Sequence, residues 1–146
     1  MFVILGRKSE ITEELRLSNV IFSQDFNIDM QHTLSFIELS LFYMANSSGP
    51  STFALLSKNI PYTIVNFRAP DMNYSYSWFN PGTFLPWQNK ELQRLIWKKD
   101  TSEVLIKEFD NLFGKVDKEK WKKELDLNKV DESILDWPHL VNKVLR

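Results

Sequence analysis

Hydrophobic positions fall into short runs broken by polar turns, and their spacing alternates between strand-like and helical periods. Residues 2–5 form an apolar run closed by Gly6, which predicts a buried strand and a turn. Ile11 and Leu15 stand four apart, so a short helix is expected over residues 9–15. Residues 19–22 predict a second strand. Met30, Leu34, Ile37 and Leu41 then follow at helical spacing. Residues 41–45 are apolar without alternation, which predicts a third strand covered on both faces. A helix is expected at Pro50, because a first-turn position has no helical carbonyl for the missing N–H. Asn59 suits the left-handed position past the end of that helix, and Pro61 cannot continue it. Residues 62–65, β-branched and aromatic, predict a fourth strand.

Beyond residue 66 the character changes. Pro70, Pro81, Gly82 and Pro86 punctuate a stretch carrying Tyr74, Tyr76, Trp78, Phe79, Phe84 and Trp87, with a short strand at Phe84 and Leu85. The remainder reads as helical. Asp100, Thr101, Ser102 and Glu103 resemble a capping box with Asp100 as the cap, Ile106, Phe109 and Phe113 make an apolar face, and Gly114 stops the helix. Trp121 and Leu125 share the face of a further charged helix, and the last segment supplies a docking helix. Strands alternating with helices, followed by helices alone, predict an α/β fold. A Rossmann-like, mostly parallel sheet is expected over residues 1–114, with a C-terminal helical extension over 115–146 packed on it.

Composition narrows the chemistry. The 146 residues are the size of one domain, and a hydrophobic share of 43% is enough for a core. A formal charge of −1 gives no electrostatic reason to expect nucleic acid as a partner. The absence of cysteine excludes disulfides, thiolate catalysis and cysteine-based zinc sites. No apolar run reaches the length of a membrane span, and residues 1–6 are too short for a signal sequence, so a cytoplasmic protein is expected. No metal-ligand spacing is present: there are two histidines, His32 and His139, and the Asp25, Asn27, Asp29 cluster lacks the later Glu of a calcium loop. No cofactor is expected.

The sharpest candidate is the small-residue turn Asn46, Ser47, Ser48, Gly49, Pro50, Ser51 between the third strand and the helix after it. A parallel strand entering a helix presents unbonded backbone N–H groups and the positive end of the helix dipole, which together favour a phosphate. Gly49 permits close backbone approach, and the serine hydroxyls can donate hydrogen bonds. The same residues also suit a plain helix cap. His32 has no serine or carboxylate partner identifiable by spacing, so a capping or surface role is expected. Asp25, Asp29 and Glu38 read as solvated acids rather than a catalytic pair.

The order of Val3-Ile4-Leu5-Gly6-Arg7-Lys8-Ser9-Glu10, a strand near Ile21, a helix ending at Leu39 and Phe42-Tyr43-Met44-Ala45-Asn46-Ser47-Ser48-Gly49-Pro50-Ser51 resembles the C-terminal half of GT-B glycosyltransferases. The likeness is to the heptosyltransferase-like families of bacterial surface-polysaccharide synthesis, and it closes with Lys58-Asn59-Ile60-Pro61, where Asn59 holds the usual Gly place. It covers about residues 2–67. The resemblance implies a nucleotide-sugar donor whose diphosphate sits on Asn46, Ser47, Ser48, Gly49, Pro50 and Ser51, with Gly6 and Arg7 as further contacts. Arg68, just after the fourth strand, could reach a phosphate, and the plainer expectation for it is an exposed arginine. Ser47 stands where many relatives carry an Asp. It also implies that an earlier central strand and the acceptor-binding half are missing here, so a fragment, or a chain completed by a partner or a second copy, is expected. No catalytic base is named, because in that family it commonly belongs to the missing half. The rival expectation is a non-enzymatic interaction module that uses the aromatic loop 70–88 and an open sheet edge.

Overall fold

The computed structural model describes residues 2–7, 9, 11–26, 28–67 and 85–119. The aromatic stretch before Leu85 and the helices expected beyond residue 119 lie outside them. The chain is α/β, with small parallel sheets flanked by helices, and it divides into two compact units, one containing Met1–Thr33 and the other Leu34–Lys118.

In the first unit β1 (Phe2–Ile4) pairs in parallel with β2 (Val20–Phe22), Phe2 opposite Val20 and Ile4 opposite Phe22. Ile21 and Phe22 are buried, and the Arg16 guanidinium lies 5.0 Å from the Phe22 ring centre while pairing with Asp25 at 3.1 Å. In place of the helix expected over residues 9–15, the described residues show 3-10 conformation at Ser9 and a 3-10 turn at Glu13–Leu15. Thr12 makes no side-chain cap bond, and Leu15 and Leu17 stay exposed. A single turn with no buried face has nothing to offset the cost of helix nucleation. The boundary between units falls within α1 (Met30–Leu39), whose buried anchor is Ile37.

The second unit carries β3 (Tyr43–Asn46), β4 (Tyr62–Val65) and β5 (Gln93–Leu95), all parallel and in the order β3-β4-β5. Where the sequence predicts a single sheet, the described residues form two. Register explains the layering. Tyr43, Tyr62 and Gln93 share one face of the three-stranded sheet, and Thr63 and Arg94 share the other. On the first face lies α2 (Gly49–Leu56): the Tyr43 hydroxyl is 3.4 Å from Ser51 Oγ, and the Gln93 amide donates to the Ser57 and Ile60 carbonyls at 2.9 and 2.8 Å. On the second lies α3 (Ser102–Phe113), where Arg94 grips Glu108 at 2.7 and 3.3 Å and Phe42 packs on Phe109 at 5.5 Å.

Several expectations are corrected by this arrangement. β4, the central strand, is buried along its whole length, whereas β3 is only half-buried. α2 ends in a turn closed by the Ser57 hydroxyl, which accepts from the Asn59 and Ile60 N–H groups, so Asn59 needs no left-handed backbone. The left-handed residue is Asn66, at φ 49°, just past β4. Thr101, not Asp100, caps α3, accepting the Val104 N–H at 3.4 Å. The buried side of α3 is Glu108 and Leu112, while Ile106 is 62% exposed. Leu85 sits in a buried turn rather than a strand, and Phe84 lies outside the described residues. β5 falls in a stretch expected to be helical. Its Gln93 is buried through hydrogen bonds, not apolarity, so it leaves no hydrophobic trace in the sequence.

Tyr62 presents an imbalance. Its side chain is fully buried, and its hydroxyl meets no hydrogen-bond partner among the described residues. Burial pushes the phenol up to about 12. Tyr62→Phe removes an unpaired buried polar group, so it should raise stability by about 1 kcal/mol at neutral pH. The neutral phenol is favoured in the folded state. Wild-type stability is therefore intact below pH 10 and falls as the pH rises from 10 towards 12, by about 2–3 kcal/mol. Urea melts of both proteins at neutral and alkaline pH check this, since the variant lacks that decline.

Candidate functional site

The turn singled out in the sequence lies at the carboxyl end of β3, where open parallel sheets accept ligands. Asn46, Ser47, Ser48 and Gly49 are exposed, Pro50 is half-buried and Ser51 is buried. Ser48 occupies the N-cap with extended backbone, yet its side chain makes no cap hydrogen bond. Its hydroxyl instead faces Ser51 Oγ at 2.9 Å, and the Ser51 hydroxyl donates to the Asn46 carbonyl at 2.6 Å. The serines therefore brace the turn from inside. The donors without an intrahelical partner at this helix start are the main-chain N–H groups of Ser48, Gly49 and Ser51, since Pro50 has none.

Gly49 has open space where a Cβ would stand, with no atom within 4 Å, and its backbone is outside the left-handed region. Neither packing nor conformation requires glycine there. Around the turn the sheet edge is polar: the Asn46 amide donates to Asp100 Oδ2 at 3.1 Å, and the Asn66 N–H donates to the Lys98 carbonyl at 3.2 Å. Asp100 was not among the expected site residues. It lies 54 positions from Asn46, and no local pattern links them.

The other expected contacts are distributed differently. Gly6 and Arg7 belong to the first unit, where the Gly6 carbonyl accepts from the Gln24 side chain, and Arg68 lies outside the described residues. His32 does have a carboxylate partner. Its Nδ1 stands 2.6 Å from Asp29 Oδ1, which also accepts the His32 backbone N–H at 2.9 Å. That backbone bond holds the Asp29 carboxyl below its usual range. The pair caps the start of α1, the role expected of His32. No cluster of three potential metal ligands occurs among the described residues.

Of the aromatic loop 70–88, residues 85–88 are described; they include Trp87, whose indole N–H donates to the Leu55 carbonyl at 2.9 Å. Trp87, Pro86, Leu56 and Lys58 line a groove of about 470 Å³. No helix among the described residues is long and apolar enough to cross a membrane. No family model matches the chain, and neither a curated protein nor a solved structure does.

Proposed function

We propose that this is a glycosyltransferase-like domain that binds the diphosphate of a nucleotide-sugar donor at the start of α2. The observation that carries the reading is Gly49, a glycine that the fold does not need, at an uncapped helix N-terminus on the carboxyl end of β3. Close approach of a ligand to the backbone gives that glycine a purpose. The helix dipole and main-chain donors would then stabilise charge on the departing nucleoside diphosphate. The parallel strand pairing flanked by helices supports the reading at the level of fold class, since a Rossmann-like domain is built from such pairs. On this reading the chain does not catalyse transfer alone, and a partner chain or second copy supplies the rest of the cleft.

A second reading, a non-enzymatic interaction module, draws on the exposed Leu56 and Trp87 beside the groove and on β3, which pairs on one side only among the described residues. Calorimetric titration of the full chain with nucleoside diphosphates and their sugars separates the two. Saturable binding confined to one base class supports the donor site. A folded chain that binds none of them, and assembles as its concentration rises, sinks it in favour of the interaction module.

A further inference from the structure

A second cleft lies on the opposite face of the same sheet, between β5 and α3. Its volume is about 310 Å³, and it is lined by Arg94, Leu95, Ile96, Trp97, Lys98, Val104, Lys107 and Glu108. That is at the lower end of the roughly 300–1,000 Å³ typical of small-molecule sites. Three of its side chains are cationic and one is anionic, and the anion is already committed. Glu108 is 5% exposed and takes both contacts from Arg94. Among the described residues Lys98 and Lys107 make no ion pair. Glu103, one turn before Lys107, is held at its own helix start by its backbone N–H and the Thr101 hydroxyl, which lower its carboxyl. The lining thus combines two lysines, paired with no described carboxylate, and apolar groups of Ile96, Val104 and Trp97, the last packed edge-on against Phe67 at 5.0 Å.

We infer that this cleft binds a small organic anion: an aromatic or apolar body that lies on Trp97 and Val104, bearing a phosphate, sulfonate or carboxylate held by Lys98 and Lys107. The apolar lining supplies affinity through area, and the two ammonium groups select for charge. The site lies on the α3 face, away from α2, and stands whether or not the donor-site reading does.

The test uses the full chain and two fluorescent probes of the same shape, anilinonaphthalene sulfonate and its neutral counterpart N-phenylnaphthylamine. The sulfonate is expected to bind one saturable site, and more weakly as salt is added. Lys98→Gln with Lys107→Gln, both exposed and so compatible with folding, should weaken the sulfonate about five- to tenfold, in keeping with two partly screened contacts. The neutral probe should change less than about twofold, since its hold is apolar. Val104→Trp fills the cleft and should remove both probes, whereas Gly49→Val should alter neither. Unchanged sulfonate affinity in the lysine variant overturns the assignment. So does its retention in a folded Val104→Trp protein, its loss in Gly49→Val, or the absence of saturable binding.

Discussion

Replacing Gly49 with valine should weaken nucleoside-diphosphate binding by roughly a hundredfold, about 2.8 kcal/mol at 1.4 kcal/mol per decade. The added methyl groups would stand where the diphosphate meets the first-turn N–H groups, so one or two charge-assisted hydrogen bonds are lost. The fold should be unaffected, because the new Cβ meets nothing within 4 Å and no left-handed backbone is involved. A urea melt of Gly49→Val should fall within about 0.5 kcal/mol of wild type, as for an ordinary surface change. On the proposed reading Asp100 opposes an anion, since its carboxylate sits on the Asn46 amide at the same strand end. Asp100→Asn keeps the shape and removes the charge, so it should tighten binding a few-fold. Paired titrations of wild type and both variants read the two effects. Equal affinity in wild type and a folded Gly49→Val would rule out diphosphate binding at this turn.

The largest stability effect is expected at Gln93. Its side chain donates to the Ser57 and Ile60 carbonyls and accepts the Asn89 N–H at 2.9 Å, while its own carbonyl takes the Gln88 amide at 2.7 Å. Gln88 in turn accepts the Leu85 N–H at 2.9 Å. This network ties β5 to the turn between α2 and β4 at the amino end of the sheet. Gln93→Leu keeps the volume but strands two carbonyls and an N–H. Each buried orphan costs about 1–3 kcal/mol, and Asn89 is exposed enough for water to replace part of its loss. We expect a loss of about 3 kcal/mol, read from urea or thermal melts. A loss under about 1 kcal/mol would mean that water replaces these bonds and the network is incidental.

What the sequence made legible follows from what each element uses to hold itself. β4 reads plainly because its burial is apolar and β-branched, Tyr62 to Val65. β5 is hidden because amide hydrogen bonds do the burying, and glutamine carries no strand signal. The helix at residues 9–15 fails for the opposite reason: two apolar residues at helical spacing promise a face, but neither neighbouring leucine is covered. At the candidate turn, residue types alone do not give side-chain directions. Ser51 could have faced a ligand, yet it donates to the Asn46 carbonyl instead. Asp29 and His32 are three apart on one helix start, so their pairing was within reach of a capping argument. Asn46 and Asp100 were not.

The three-stranded sheet has two unlike ends. Its amino end is closed by the Gln88–Gln93 network, and its carboxyl end is polar among the described residues, with Asn46, Asn66 and Asp100. Strands of three or four residues separate these ends by about 10 Å, the range beyond which substitutions tend to act independently. Changes at the rim and at the network should therefore be additive. A library confined to the exposed positions of the rim could explore new ligands while the other end keeps the chain folded.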